Sequence, residues 1–425
     1  MNTLLTTALI SVLGFSSAEG VEPGWRERFQ AVTPTNFDRG GSVSHQFHLN
    51  AESYLTTSTV TAPDATRVLR SAPDPRLADL HVRHRLGEDP FSRYVEREPW
   101  ISSVVVLHDG DVVFEAYPRM QPGQRHLAWS VSKVVTAATV AALVHDGAIE
   151  LDRTVGDSVP ALADSAWADI NVDDVLHMAS GIGCLDSDGY QDPSTCIYRM
   201  EETLGITADR GYDAGLIEHL NAMKSHRAAG EVYEYVSANT NVLGLIVEHA
   251  VSQPFATVLS EQVWKPIGAE SNALLAINED GYSYVSGGVI ARLRDVARFG
   301  QLFVEPERFG VFGKALVERM QTRDGVGFSE RRQAALAQRF DGDVPRRAAW
   351  QWDWIWDDGA MYKAGYLGQG LYVDPARGLV IAWFGTGEDY SAKMNEMPEV
   401  SRQIATSGLY PAAAPVRQDG STDGR

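Results

Sequence analysis

The strongest structural signal in this 425-residue chain is the segment WSVSKVVTAATVAALVH, from Trp129 to His145. It predicts a helix that is apolar on all sides, and such a helix is buried between layers of other elements. At its start Ser130 and Lys133 stand three positions apart, which places both side chains on one helical face. The segment therefore predicts a core helix with a hydroxyl and an amine close together at its beginning.

This pair has the chemistry of an activated nucleophile. A serine hydroxyl reacts poorly unless a base removes its proton. Desolvation beside an apolar core lowers the pKa of a lysine, so Lys133 can be neutral and serve as the base for Ser130. The N-terminus of the helix also offers backbone N–H groups to a developing oxyanion. The chain has only six lysines and one S-x-x-K match. The alternative is an ordinary helix start, with Ser130 as N-cap and Lys133 in solvent.

Strand signals lie on both sides of this helix in the sequence. Residues 103–108 and 111–117 are β-rich runs joined by Asp109-Gly110, which predicts a hairpin. Further short aromatic or β-branched runs lie at 350–356, 370–373 and 379–384. Strands at both ends of the domain with helices between them predict one sheet assembled from both ends, with a helical lobe inserted.

The chain divides into four predicted regions. Residues 1–18 resemble a secretory signal, because a mostly apolar run at 4–15 precedes the small residues Ser16-Ser17-Ala18, although no Lys or Arg precedes the run. The alternative is an N-terminal helix that stays and packs. We predict an irregular extension that wraps the main domain at 19–97, the main domain at 98–408 with its helical lobe at roughly 147–285, and a disordered tail at 409–425. The signal favours a periplasmic or secreted protein.

Composition excludes several classes of function. The formal net charge is −19, from 37 basic and 56 acidic residues, and so negative a surface repels nucleic acid. No apolar run approaches the roughly 18 to 20 residues of a membrane span. The sequence has neither a metal-binding constellation nor a phosphate-cradling glycine loop, so we predict no metal and no cofactor. It does not indicate an oligomeric state.

Two cysteines, Cys184 and Cys196, lie close together in a loop rich in Gly, Asp and Ser. In an oxidising compartment they can close a disulfide, and the alternative is two free thiols. Two cysteines without nearby paired histidines do not fill a zinc shell. Neither has the histidine-paired context of a catalytic thiol.

Two later motifs add candidate site residues. In Tyr235-Val236-Ser237 a tyrosine and a hydroxyl residue on a loop can pass a proton between nucleophile and leaving group. Tyr233 competes with Tyr235 but has no Ser or Asn two residues on, and the alternative for Tyr235 is a buried packing role. The second motif, Lys363-Ala364-Gly365, falls on an expected strand.

On that strand Gly365 lets a substrate approach the strand edge closely. The backbone N–H of Tyr366 can then be a second oxyanion donor beside that of Ser130. The alternative is a plain strand that contains a glycine.

Taken together, WSVSK, YVSANTNVLG and YKAGYLGQGLYVDP, in this order, resemble the penicillin-recognising serine hydrolases. The chain is most similar to their class C β-lactamase-like branch, which includes esterases, D-amino-acid peptidases and 6-aminohexanoate-dimer hydrolases. LHMASGI at 176–182 and SGGVIARLRDVARFGQL at 286–302 support the resemblance, which covers roughly residues 98–408. It implies an α/β fold, with an antiparallel sheet flanked by helices, an all-helical lobe, and Ser130 at their junction.

The resemblance also implies roles. Ser130 attacks, Lys133 and Tyr235 share proton transfer, and the backbone N–H groups of Ser130 and Tyr366 bind the oxyanion. Which of Lys133 and Tyr235 is the initiating base stays open. Ser237, Lys363 and Gly365 would contact the substrate.

Two differences from the β-lactamases of this branch narrow the range of activities that we expect. β-Lactamases of this branch typically have Asn where Ser237 stands and a hydroxyl residue where Ala364 stands. The lost hydroxyl would have held a substrate carboxylate. We therefore expect a secreted hydrolase of an ester or small amide. The alternatives are a β-lactamase or D,D-peptidase, and a non-catalytic ligand-binding or sensor protein on the same fold.

Overall fold

The computed structural model describes residues 24–322, 327–388 and 395–412, so the predicted signal peptide lies outside the described residues. Within them the helices α1 to α16 are, in order, Trp25–Ala31, Gly41–Leu49, Pro75–Ala78, Phe91–Arg97, Ser132–His145, Val155–Ser158, Val172–Leu176, Cys196–Thr203, Leu216–Ala222, Ser237–Val251, Phe255–Leu259, Leu293–Val304, Pro306–Phe309, Lys314–Thr322, Glu330–Arg339 and Met397–Thr406. The strands β1 to β13 are Thr57–Val60, His81–His84, Gly87–Pro90, Ile101–His108, Asp111–Ala116, His126–Leu127, Ala273–Ala276, Val289–Ala291, Arg347–Ala349, Trp352–Ile355, Met361–Gly365, Gln369–Asp374 and Leu379–Gly385.

The main sheet has seven antiparallel strands in the order β5-β4-β13-β12-β11-β10-β9. Strands β4 and β5 form the predicted hairpin, and its turn residues Asp109 and Gly110 have φ of 48° and 85°. This left-handed pair matches the twist of the flanking strands. β4 pairs with β13 from the far end of the domain, which confirms a sheet assembled from both ends.

Helices cover both faces of this sheet, which explains the unbroken apolar runs at 104–107 in β4 and 379–384 in β13. Val105 and Leu107 of β4 face the core that contains α5 and α12. Val104 and Val106 face the opposite core, which contains residues of α4 and α16. Successive strand residues point to opposite faces, so a strand buried on both sides needs no polar alternation.

The inserted lobe contains the helices α6 to α11. Strand β7 also lies within 147–285 and belongs to a second sheet of order β1-β7-β8-β6. β7 pairs in antiparallel fashion with β1 of the N-terminal region, Thr57 lying opposite Ala276. A four-residue strand needs partners to satisfy its backbone groups; β8 follows β7 closely in the chain, whereas β1 is more than two hundred residues away.

The two predicted boundary regions are more ordered than the sequence indicated. The extension at 19–97 was expected to be irregular, yet from Gly24 onward it holds α1 to α4 and β1 to β3. Tyr410, placed in the predicted tail, is buried, with its ring stacked on His108 and its hydroxyl 3.3 Å from Asp74. The folded part therefore reaches at least Tyr410, and the rest of that tail from residue 413 lies outside the described residues.

Among the described helices, none alone has the length and apolarity of a membrane span. The helix α10 and the following segment Phe255–Trp264, bent by 81° between them, meet that criterion only as a pair. Residues of both segments are buried within this fold.

Candidate active site

Ser130 lies in a single 3₁₀ turn, Trp129–Val131, between β6 and α5. The Nζ atom of Lys133, in the first turn of α5, is 3.2 Å from the Oγ atom of Ser130. Lys133 is only 1% exposed, because α5 is buried in the core from Ser132 to Leu143. The structure thus brings the predicted pair together and excludes the alternative of a solvated lysine at an ordinary helix start.

The amine of Lys133 is held where it can accept a proton. Its Nζ atom also donates a hydrogen bond to the carbonyl oxygen of Ser286, at 2.8 Å. Burial lowers the pKa of Lys133 to about 7; Asp186 opposes this shift and the cation of Lys363 adds to it. A lysine with such a pKa is neutral in roughly half of the molecules near pH 7, so it is suited to general-base chemistry.

Tyr235 belongs to the same cluster. Its hydroxyl accepts a hydrogen bond from Nζ of Lys363 at 3.0 Å, and Nζ of Lys133 is 5.2 Å from the centre of its ring. Burial raises the pKa of Tyr235 well above its ordinary value, and Asp353 and Asp186 raise it further. The hydroxyl is therefore protonated near neutral pH, and it can donate a proton but is a poor initial base.

Tyr233, the competing candidate, is engaged elsewhere. Its ring packs edge-on against Phe328, with ring centres 5.8 Å apart, and the guanidinium of Arg332 lies 4.7 Å from its centre. Tyr235 is thus the tyrosine that the fold directs to the Ser130–Lys133 pair.

Lys363 is placed to support Tyr235 and not to bind substrate as predicted. It is fully buried, and its Nζ atom lies 2.6 Å from an oxygen of Asp353. The second oxygen of Asp353 accepts the backbone N–H of Ala364 at 2.9 Å. The amine of Lys363 thus lies between the carboxylate of Asp353 and the hydroxyl of Tyr235, with no part of the side chain exposed.

The disulfide-closed loop brings further groups to the site. Cys184 and Cys196 are joined, with Cα atoms 5.3 Å apart. Within the loop, Asp186 accepts hydrogen bonds from the hydroxyl of Tyr190 and from both the hydroxyl and the backbone N–H of Ser237. Ser237, expected to bind substrate, does line the pocket beside Ser130, but its proton is directed to Asp186.

Gly365, predicted to give a substrate access to the strand edge, is packed closely against other parts of the protein. A Cβ atom there would lie 2.6 Å from the carbonyl oxygen of Ala128 and 2.5 Å from Cβ of Gln369. The missing side chain thus lets β11 approach the chain just before Ser130, and the space is filled by protein and not by substrate. The next residue, Tyr366, lines the pocket with Ser130, which suits the predicted oxyanion role of its N–H.

A small pocket opens beside Ser130. It is lined by Asp38, Trp129, Ser130, Tyr190, Glu201, Ser237, Tyr284 and Tyr366. Glu201 is 5% exposed and accepts a hydrogen bond from the hydroxyl of Tyr284 at 3.0 Å. Burial raises the pKa of Glu201 to about 8, and it also raises the pKa of Asp38. The pocket therefore holds two carboxyl groups whose charged forms are poorly compensated.

Sequence reasoning missed these acidic residues. Asp186 lies two residues beyond Cys184, so the predicted disulfide loop was a usable signal for it. Asp353 interrupts an otherwise aromatic strand, WDWI, which marks it as buried with a partner. Asp38 and Glu201 lie in segments without a recognisable motif, and only the folded structure brings them together.

Within the described residues, one group of three potential metal ligands was found, formed by Cys184, Cys196 and His219. Its two sulfur atoms are joined to each other, and a disulfide sulfur is not the thiolate that binds metal. The group does not fit a metal site in this state.

Residues 95–406 match the family model described as Beta-lactamase. The chain belongs to the β-lactamase family. This β-lactamase-family protein is therefore a serine hydrolase at the family level, and its antiparallel sheet flanked by helices is the predicted fold.

Relatives of this β-lactamase-family chain include proteins described as 6-aminohexanoate-dimer hydrolases. It is 28% identical over 296 residues to the 6-aminohexanoate-dimer hydrolase of Paenarthrobacter ureafaciens, covering 69% of this chain and 74% of that protein. A solved structure from Bacillus anthracis, described as a candidate 6-aminohexanoate-dimer hydrolase, superposes with a TM-score of 0.75 at 24% identity and covers 89% of this chain and 96% of that one. The D-alanine carboxypeptidase AmpC of Burkholderia cenocepacia superposes with a TM-score of 0.51 at 16% identity, covering 74% and 96%, and shows the shared fold.

Proposed function

We propose that this protein hydrolyses small amides through an acyl-enzyme on Ser130. The observation that carries the proposal is the 3.2 Å contact between Ser130 and a buried Lys133 whose pKa is about 7. A serine beside a neutral amine, at the edge of a pocket, has what a nucleophile requires.

The proposed reaction has two halves. Lys133 takes the proton of Ser130 as Oγ attacks the amide carbon, and the N–H groups of Ser130 and Tyr366 bind the oxyanion. Tyr235, held by Lys363, gives a proton to the departing amine as the C–N bond breaks, and a proton from Lys133 restores it. Water then attacks the ester carbon, with the same residues returning the proton to Ser130. The raised pKa of Tyr235 is the reason we assign the initiating step to Lys133.

The pocket favours a substrate with a cationic end. Asp38 and Glu201 are buried carboxyls beside Ser130, and a bound ammonium group would stabilise their charged forms and lower their raised pKa values. β-Lactams carry a carboxylate, which would find no countercharge in these two acidic side chains. Ala364 also lacks the hydroxyl that would hold such a carboxylate.

Two other functions remain as outcomes of the test: a β-lactamase or D,D-peptidase, and a binding protein without turnover. The test is a panel of p-nitrophenyl esters, amides with a free or an acetylated amine, and penicillins, run on wild type and Ser130→Ala. We expect turnover of the free-amine amides, loss of it in Ser130→Ala, and a fluorophosphonate adduct on Ser130 by intact mass. Activity that survives in Ser130→Ala would overturn the mechanism, and binding without turnover would favour the sensor function.

We also propose export from the cytoplasm, on the sequence signal at residues 1–18 alone. Expression with the native N-terminus, followed by N-terminal sequencing of the mature protein, should give a chain that begins at Glu19. A protein that retains Met1 in the cytoplasmic fraction would contradict it.

A further inference from the structure

The residue before the nucleophile has an unusual backbone conformation. Trp129 has φ of 46°, a left-handed value that is a genuine outlier for a bulky side chain. Such a conformation costs of order 1–3 kcal/mol and persists only where the surroundings enforce it. Because Trp129 adjoins Ser130, relaxation of this backbone would displace the nucleophile from Lys133.

The contacts that enforce it come largely from the N-terminal region. The indole N–H of Trp129 donates to Nε2 of His48, on α2, at 2.8 Å. The other ring nitrogen of His48 lies 2.9 Å from the hydroxyl oxygen of Thr386, at the end of β13. Phe37 and Phe47 pack against the same indole, with ring centres 6.1 and 6.3 Å away.

The hydrogen bonds define the state of the imidazole. Since an indole nitrogen can only donate, Nε2 of His48 must be the acceptor, and Nδ1 carries the proton that is donated to Thr386. His48 is fully buried, and the titratable groups that face it are His45 on its own helix and His126 on β6. Burial lowers the pKa of His48 well below its ordinary value, and both neighbouring histidines add to the shift, so the neutral ring is maintained.

We propose that His48 is a positioning residue for Ser130, acting through Trp129. This role of His48 rests on the proposed function of Ser130 as the nucleophile. The acceptor on His48 fixes the indole, the indole fixes the strained backbone at 129, and that backbone sets the distance from Ser130 to Lys133. The N-terminal region therefore contributes to the reaction without touching the reacting atoms.

The test measures the rate of acylation separately from substrate binding. His48→Phe fills the same space without an acceptor, whereas His48→Gln offers its side-chain oxygen near the position of Nε2. The acylation rate constant with a p-nitrophenyl ester should fall about 10- to 100-fold in His48→Phe, with KM and Tm changed little. His48→Gln should recover most of the loss. The matched control is His84→Gln, which should react as wild type. The side chain of His84 is also buried in the N-terminal region, where it contacts Asp89 and Tyr94.

Trp129→Phe provides a second route should His48→Phe fail to fold, since it keeps an aromatic ring and deletes the N–H donor. Adding His48→Phe to it should cause no further loss of rate, because the same hydrogen bond is already absent. Wild-type acylation in both single variants, or a His48→Gln rate as low as that of His48→Phe, would overturn the inference. Acylation that persists in Ser130→Ala would instead overturn the proposed function.

Discussion

Lys133 is the residue whose environment most directly sets the expected pH dependence. Its neutral form is the base, so kcat/KM for an uncharged ester should rise with pH through an apparent pKa of about 7. Lys133→Arg should lower kcat/KM by about 10²- to 10⁴-fold, because arginine stays protonated. Stopped-flow hydrolysis between pH 5 and 9 checks both. Lys265→Arg, at a surface lysine paired with Glu261, should leave the profile unchanged, and a flat wild-type profile would contradict the assignment of Lys133 as base.

Glu201 should make stability depend on pH. Its pKa is raised to about 8 in the folded state from 4.5, so the folded protein holds an extra proton between these values and loses stability as pH rises through them. Glu201→Gln mimics the protonated form. We expect its Tm to exceed that of wild type by more at pH 8.5 than at pH 5, measured by differential scanning fluorimetry. Glu279→Gln, at an exposed glutamate, should show no such trend. An equal Tm difference at both pH values would contradict the raised pKa.

At the same scale, motif residues were predictable and their partners were not. Ser130 and Lys133 are three positions apart, so local helix geometry predicted their contact. Asp353 reaches Lys363 only through the pairing of two strands, and Glu201 reaches the pocket from a separate helix. A carboxylate in an unremarkable segment carries no sign of which cation or pocket it will face.

Among the elements, the loop between Cys184 and Cys196 should be needed to hold Asp186 and Tyr190 in the site. Cys184→Ser with Cys196→Ser opens a loop of sequence separation 12, and the chain-entropy model gives a loss of about 3 kcal/mol of stability. Denaturant unfolding measures that loss. KM for the free-amine amide should rise, while the rate of ester acylation changes less, because Ser130 and Lys133 lie outside the loop. Equal effects on both substrates would argue against a substrate-side role for the loop.

The strand β11 should tolerate no side chain at Gly365. Gly365→Ala would push β11 away from Ala128, and we expect slower acylation together with a lower Tm. Gly123→Ala is the control, because a Cβ atom there meets nothing within 4 Å. A Gly365→Ala protein with wild-type acylation kinetics would show that the close approach is dispensable.

The long elements could be predicted from sequence, and the short ones could not. The helix predicted over Trp129–His145 is observed as α5, preceded by the 3₁₀ turn that holds Ser130, because its apolar content is continuous over many residues. Strand β1 has four residues and only one buried residue, Val60. Its pairing with β7, over two hundred residues later, is what makes it a strand, and no local pattern reports such a pairing.

For the whole molecule, the N-terminal region should be indispensable. A chain that begins at Thr61 lacks β1 and the helix that carries His48, so the sheet edge at β7 and the indole of Trp129 lose their partners. We expect little folded protein and no fluorophosphonate labelling of Ser130, whereas a chain that begins at Glu19 should label normally. Labelling of the shorter chain at the wild-type rate would show that the region is accessory.

The pairing of β4 with β13 delays completion of the main sheet while the chain is being synthesised. About 270 residues separate Ile101–His108 from Leu379–Gly385, so the centre of the main sheet waits for nearly the whole chain. At a synthesis rate of roughly 5–20 residues per second, the edge of β4 that faces β13 would remain unpaired for roughly 14 to 54 s after it is made, although its other edge can pair with β5 at once. Pairings so distant in sequence also slow folding itself. The chain thus stays open long enough after synthesis begins for a chaperone or an export machinery to engage it before it closes.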